Sequence, residues 1–214
     1  MNIFDIFYAA RNEENAKEMA AYMKNKFKFL GIPKPLRANL SKDFFKQCRN
    51  DKFIDWNFVF KCFDMHEREF QYLAIDYIII MKNLLMPEDI YKIENLILKK
   101  SWWDTTDSLD SVVGYMCLTY PYLKEEFIAK WINSDNIWLK RVSIDFQLKY
   151  KDKTDVNFLS KAILSNCNTN EFFINKAIGW SLREYSKTNK EWVKEFLKNN
   201  KLHSLSVREA SKYL

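Results

Sequence analysis

Apolar residues recur along this chain at the spacing of amphipathic helices, i, i+3, i+4, i+7. One such stripe consists of Ala16, Met19, Ala20, Met23 and Phe27. A second consists of Phe70, Leu73, Ala74, Tyr77, Ile78 and Met81. Both stripes predict helices, and about a dozen helices are expected over the whole chain.

Turn-forming residues are too scarce for a β-fold. The 214 residues include only 3 glycines and 4 prolines, whereas a β-sandwich or barrel of this length needs a turn about every ten residues. Helices joined by short loops fit this composition, and the predicted fold class is all-α.

A weak internal repeat organises these helices. Its pattern is a small residue, isoleucine, Asp or Gly, and then an aromatic residue, which is Tyr77, Phe146 or Trp180; looser copies end at Tyr115 and Tyr213. These positions lie 31 to 38 residues apart, about one helix pair per repeat. The prediction is a single domain over 1–214, an α-solenoid of about six HEAT-like antiparallel helix pairs that forms a curved superhelix with a concave binding face.

Charge is distributed unevenly along the chain. Residues 1–50 contain 10 basic and 5 acidic side chains, residues 51–150 contain 12 and 16, and residues 151–214 contain 12 and 7. Basic ends around an acidic centre can bind a polyanion such as nucleic acid. A solvated lysine-rich surface would give the same counts.

Several classes of protein are not indicated. The longest apolar run, 77–81, is far too short to cross a bilayer, and no secretion signal is recognisable, so we expect a cytoplasmic protein without membrane contact. The 4 cysteines are scattered and form no CxxC pair. They predict core residues, and neither a metal site nor a cofactor is expected.

The segment 101–108, Ser-Trp-Trp-Asp-Thr-Thr-Asp-Ser, carries the first candidate chemistry. Ser101 is predicted to cap a helix, with Asp104 in the capping-box position. Trp103 and Asp107 are four residues apart and share one helix face. An indole beside an unpaired carboxylate suits a developing cation, such as the one formed when a glycosidic bond breaks. A core tryptophan beside a solvated aspartate is the alternative.

Three further residues extend this candidate site. Arg141 lies one repeat beyond Asp107, and Trp180 with Arg183 lies one repeat further at helical spacing. Arginine binds phosphate with two parallel hydrogen bonds, so arginines beside aromatic residues suggest a clamp around a sugar–phosphate backbone. For each arginine taken singly, a surface ion pair is the alternative.

Over nearly its whole length the sequence resembles the AlkD family of DNA alkylation-repair glycosylases. The segments that carry the resemblance are 20–25, 29–32, 101–108, 130–132, 134–139, 172–174, 177–180, 182–185 and 208–210. The resemblance implies a HEAT-like solenoid that holds duplex DNA in a basic concave groove. The implied reaction is hydrolysis of the N-glycosidic bond of cationic alkylated purines such as 7-methylguanine and 3-methyladenine, by a monomer.

The resemblance also implies roles for individual residues. Asp107 would stabilise the sugar cation and place the attacking water, and Trp103 and Trp180 would pack against the deoxyribose. Arg141 would hold the phosphate backbone. The residues implied as secondary DNA contacts are Tyr22, Arg37 and Arg183.

Two other functions remain open from the sequence. A non-catalytic HEAT-repeat protein that recognises damaged or distorted DNA would have the same scaffold, since a fold does not fix a function. A protein-interaction scaffold is the third reading, and it predicts no salt-dependent affinity for DNA.

Overall fold

A computed structural model describes residues 2–214. Fourteen α-helices, short 3₁₀ and π-helical segments and one isolated bridge between Lys28 and Glu67 make up its regular structure, and no strand is found in these residues. The predicted all-α class is confirmed. The chain divides into two compact units, Met1–Leu85 and Met86–Leu214.

The first unit contains six of these helices. They are α1 (Ile3–Ala9), α2 (Glu13–Tyr22), α3 (Lys34–Leu40), α4 (Lys42–Cys48), α5 (Trp56–Asp64) and α6 (Arg68–Ile80), followed by a 3₁₀ turn at Lys82–Leu84. The apolar stripe predicted over 70–81 lies on α6, where Phe70, Leu73 and Ile78 are fully buried. Helix α6 is therefore the core helix of this unit.

The stripe predicted over 16–27 is only partly helical. Helix α2 has no buried residue and ends at Tyr22. It ends there because Lys24 and Asn25 take φ values of 58° and 55°. Left-handed residues of this kind end a helix. Met23 is buried just beyond the helix, so the prediction of a continuous helix as far as Phe27 is wrong.

The second unit contains the other eight helices. They are α7 (Asp89–Leu98), α8 (Trp103–Thr119), α9 (Ala129–Trp131, preceded by a π-helical turn at Lys124–Ile128), α10 (Ile137–Asp145), α11 (Val156–Asn166), α12 (Phe172–Ser186), α13 (Lys190–Asn199) and α14 (Ser204–Ala210). Short 3₁₀ turns follow at Lys151–Lys153 and Ser211–Tyr213.

Helices α8, α10, α12 and α14 pack one against the next and form an inner row. Helices α7, α9, α11 and α13 pack on this row as a second layer. Side-chain caps set where several helices begin; for example, Asn136 accepts a hydrogen bond of 2.9 Å from the backbone N–H of Trp138 at the start of α10. This alternation of two helix layers is the solenoid arrangement that the repeat predicts.

Two glycines let the helices of the inner row approach closely. A Cβ atom on Gly114 of α8 would lie 2.3 Å from the carbonyl oxygen of Phe146, which follows α10, and one on Gly179 of α12 would lie 2.9 Å from the carbonyl oxygen of Ser206 in α14. Both glycines stand at the third position of the sequence repeat. The repeat therefore marks the points where backbone meets backbone.

Replacement of Gly114 by alanine tests this packing. Alanine raises helix propensity by about 1 kcal/mol relative to glycine, but here its methyl group forces α8 and α10 apart. We expect Gly114→Ala to lower the free energy of unfolding by about 1–3 kcal/mol in denaturant titrations. Ser111→Ala, on the exposed face of the same helix, is the control and should change it by less than about 0.5 kcal/mol. A stabilised Gly114→Ala variant would contradict the packing argument.

Candidate active site

A two-pronged ion pair joins the first two helices of the inner row. Arg141 on α10 donates from Nε to Oδ1 of Asp107 on α8 at 2.7 Å, and from Nη2 to Oδ2 at 3.0 Å. This geometry is the parallel arrangement in which arginine binds carboxylates most specifically. We call this pair the Asp107–Arg141 fork.

The same guanidinium also reaches the third helix of the row. Its Nη1 donates to the carbonyl oxygen of Phe173 at the start of α12, at 2.6 Å, and its Cζ lies 5.9 Å from the ring centroid of Trp180. The Arg141 side chain is only 5% exposed, whereas that of Asp107 is 19% exposed. Asp107 is thus the part of the fork that solvent, or a ligand, can reach.

Two further carboxylates lie behind the fork. Asp145, one turn after Arg141, is fully buried; its Oδ2 lies 3.6 Å from Arg141 Nη2, and its Oδ1 accepts a hydrogen bond of 2.8 Å from Ser181 Oγ. Asp110, three residues after Asp107, is 5% exposed. Asp107, Asp110 and Asp145 each offer an oxygen within 4.8 Å of the others; we call them the carboxylate cluster. Such spacing also occurs around metal ions, but here Arg141 supplies the positive charge.

Burial and mutual repulsion perturb every acid in this cluster. Burial raises the pKa of Asp107, and the Arg141 charge opposes that rise. Burial raises the pKa of Asp145 to about 7, again opposed by Arg141. Asp110 is affected most, because burial and the charge of Asp145 both raise its pKa well above the usual range.

Tryptophans stand beside the fork. Trp103 is half-buried at the first position of α8, one turn before Asp107, and Trp180 is half-buried on α12. A cluster of three rings supports this region, with centroid distances of 4.9 to 5.7 Å; its members are Trp102, Trp138 and Phe173. The site therefore offers indole surface next to a partly exposed carboxylate.

Two details of the predicted site are wrong. Asp107 is not an unpaired carboxylate, because both of its oxygens accept hydrogen bonds from Arg141. Ser101 does not cap α8 either. Trp102 occupies the N-cap position, and the Ser101 hydroxyl donates instead to the carbonyl oxygen of Ile97 at 2.6 Å.

The other three predicted DNA contacts have different surroundings. Arg183 on α12 pairs with Glu209 at 3.1 Å, and Glu209 also binds Lys176 and Lys212. In the first unit, the buried Arg37 lies 3.3 Å from Asp76. Tyr22 is 71% exposed at the end of α2.

Sequence reasoning missed Asp110, Asp145 and Ser181. A signal for the two acids was present, because Asp110 follows Asp107 at i+3, and Asp145 follows Arg141 at i+4. Asp145 also occupies the third position of the repeat, where α8 and α12 have glycine. That position alone does not identify a buried acid, because Asp76 occupies it in α6 and its side chain is 36% exposed.

Comparison with known proteins identifies the family. The paired-helix fold and the fork beside two indoles define an all-α repeat protein with a polar site on one helix row. The family model for the DNA alkylation repair enzyme matches residues 5–214. The chain belongs to this family and has a role in the repair of alkylated DNA. No curated protein matches it significantly.

Two solved structures are similar to the chain. One is a predicted DNA alkylation repair enzyme from Enterococcus faecalis, with 38% identity, a TM-score of 0.90, and coverage of 95% of this chain and 96% of that one. The other is smu.31 from Streptococcus mutans UA159, with 20% identity, a TM-score of 0.62, and coverage of 83% and 97%. The second supports the fold alone. In residues 2–214 we find no helix long and apolar enough to cross a membrane.

Removal of the Arg141 charge tests the electrostatics of the site. Arg141→Gln leaves three neighbouring acids without their cation, and breaking a buried ion pair from one side costs about 3–5 kcal/mol. Protonation relieves that repulsion, so the loss in the free energy of unfolding should be larger at pH 8 than at pH 5.

Arg183→Gln is the matched control, measured by the same denaturant titrations. Glu209 keeps Lys176 and Lys212 as partners, so the loss should be smaller and should not increase between pH 5 and pH 8. Equal losses in the two variants would mean that Arg141 is not needed to balance buried charge.

Proposed function

We propose that this protein is a DNA glycosylase that hydrolyses the N-glycosidic bond of cationic alkylated purines in duplex DNA. The substrates proposed are 7-methylguanine and 3-methyladenine, and the active species is a monomer without a cofactor. The observation that carries the proposal is Asp107, a partly exposed carboxylate fixed in orientation by Arg141 and set beside Trp103 and Trp180.

The proposed reaction needs mainly electrostatic stabilisation from the enzyme. As the bond between C1′ and the purine nitrogen breaks, its electron pair moves to the positively charged base, which leaves neutral and needs no proton from an acid. Positive charge develops on the sugar, where a fixed carboxylate stabilises it. Water then forms the new bond to C1′ and releases its proton. Asp107 fits both tasks, since one carboxylate can face the cation and orient the water.

The two indoles suit the deoxyribose. Their faces carry partial negative charge and attract a cation as well as apolar sugar surface. Trp103 is one helical turn from Asp107, and Trp180 lies beside the Arg141 guanidinium. We therefore assign both tryptophans to the walls of the sugar site.

We assign Arg141 a role other than the phosphate contact that the sequence suggests. Its Nε and Nη2 are bonded to Asp107 and its Nη1 to Phe173. In the proposal it orients Asp107 first, and a contact with DNA phosphate would require the fork to open.

The other proposed contacts with the DNA backbone are made by Tyr22, Arg37 and Arg183. Tyr22 is exposed and is assigned a contact with a phosphate. Arg183 and Arg37 are held by Glu209 and Asp76, so DNA would compete with those carboxylates. Such contacts release counterions, and binding should weaken as salt concentration rises.

Loss of the Asp107 charge tests the proposed chemistry. Asp107→Asn preserves shape but removes the carboxylate that faces the sugar cation. We expect single-turnover release of 7-methylguanine from a defined duplex to slow on the order of 10²–10³-fold, with little change in DNA affinity.

Asp135→Asn, which removes the charge of an exposed aspartate, is the control and should excise at the wild-type rate. An Asp107→Asn variant that excises at full rate would remove Asp107 from the mechanism. Tight, salt-sensitive DNA binding without base release by the wild type would instead indicate a protein that recognises damage without cutting it.

The charge of the lesion provides a second test. Because the site lacks an assigned acid to protonate the departing base, release should depend on the positive charge that alkylation gives the purine. We expect excision of 7-methylguanine and no measurable excision of its uncharged 7-deaza-7-methyl analogue in the same duplex. That analogue keeps the shape, but a carbon atom replaces N7, so the base has no positive charge. A protein that recognises shape alone would bind the two duplexes equally.

A further inference from the structure

The carboxylate cluster contains three acids but has only one neighbouring cation to balance their charge. Asp107 and Asp110 come from α8, and Asp145 comes from α10, beside the single guanidinium of Arg141. The charged groups that act on Asp110 are Asp145, Asp107 and Arg141, while Asp104 adds a further repulsion at Asp107. Three ionised acids would leave a net charge of −2 in a largely buried site, which is costly.

The acids differ in the partners that stabilise a negative charge. Asp145 has Arg141 Nη2 at 3.6 Å and the Ser181 hydroxyl at 2.8 Å. Asp107 accepts hydrogen bonds from both Nε and Nη2 of Arg141. The Oδ2 atoms of Asp110 and Asp145 are both buried without a hydrogen-bond partner among the described residues. Asp145 nevertheless has Arg141 and Ser181 beside it, whereas Asp110 has no ion pair to α10 or α12 among those residues. Protonation therefore stabilises Asp110 more than it stabilises Asp107 or Asp145.

We propose that Asp110 is a neutral carboxylic acid at physiological pH and that Asp145 is the ionised acid that balances Arg141. Both are positioning residues for Asp107. The catalytic consequence rests on the proposed glycosylase function, whereas the assignment of the proton does not.

This assignment explains how an aspartate paired with arginine can still stabilise a cation. An isolated Asp107–Arg141 pair has no net charge, and its attraction for a sugar cation would be weak. With Asp145 ionised, Arg141 is already balanced, so the site has a net charge of −1 located at its exposed carboxylate. Neutral Asp110 prevents a second excess charge, which would draw Arg141 away from Asp107.

Burial supports the division of roles. It raises the pKa of Asp145 to about 7 despite the Arg141 charge. Burial, with repulsion by Asp145 as the second cause, raises the pKa of Asp110 well above its usual range. Both shifts agree with the proposal, in which Asp145 carries the negative charge and Asp110 carries the proton. Because folding raises the pKa of Asp110, this carboxyl costs stability as the pH rises above its unfolded value, and the cost stops growing above its folded value.

Infrared difference spectroscopy of the whole protein at pH 8 tests the assignment without any glycosylase assay. A protonated carboxyl has a C=O stretch that a carboxylate lacks. We expect this band in the wild type, its loss in Asp110→Asn, and its retention in Asp145→Asn and in Asp135→Asn, an exposed control. Absence of the band from the wild type, or its loss only in Asp145→Asn, would overturn the assignment.

A titration of the wild type keeps the test valid if a variant fails to fold. As the pH falls from 8 to 6, a second carboxylic-acid band should grow as Asp145 gains its proton. A folded Asp110→Asn variant should also gain thermal stability over wild type at pH 8 and lose that gain at pH 4. A flat band intensity, or a variant less stable than wild type at pH 8, contradicts the proposal.

The catalytic consequence has its own measurement. Asp145→Asn leaves Arg141 balanced by Asp107 alone, so single-turnover release of 7-methylguanine should slow on the order of 10- to 100-fold at unchanged DNA affinity. An unchanged rate would overturn the positioning role of Asp145. If the wild type releases no base at all, the proposed function fails, while the infrared result still decides where the proton is.

Discussion

The guanidinium of Arg141 contacts three successive helices of the inner row. It binds the carboxylate of Asp107 on α8, the carbonyl oxygen of Phe173 on α12, and, within its own helix, it faces Asp145. A buried arginine is tolerated only when its donors and its charge are satisfied. Satisfying them requires these helices to keep one register, so the same contacts that stabilise the charge also aim Asp107 at solvent.

Close helix packing is what brings these partners within reach. Gly114 allows the backbones of α8 and α10 to approach closely, which helps Arg141 on α10 to reach Asp107 on α8. Gly179 allows the same approach between α12 and α14. The aromatic rings of Trp102, Trp138 and Phe173 pack against one another, and the backbone carbonyl of Phe173 accepts a hydrogen bond from Arg141. Rigid rings and short interhelical distances hold the fork without a loop, which suits a site that works by fixed charge rather than by movement.

The sequence predicts those features that depend on periodicity or on one helix face. The all-α class, the α6 stripe and the shared face of Trp103 and Asp107 follow from spacing alone. What it cannot supply is pairing between helices: whether Asp107 is free or bound to Arg141 depends on how α8 and α10 approach. The end of α2 was missed for a local reason, because a left-handed turn at Lys24 and Asn25 interrupts an otherwise regular stripe.

Every residue of the fork, the carboxylate cluster and the tryptophan pair falls between positions 103 and 181, within the second compact unit. Tyr22 and Arg37 belong to the first. All side chains of the candidate active site thus come from three helices of one unit, α8, α10 and α12, so a change in the pitch of that helix row would shift Asp107, Arg141 and Trp180 relative to one another.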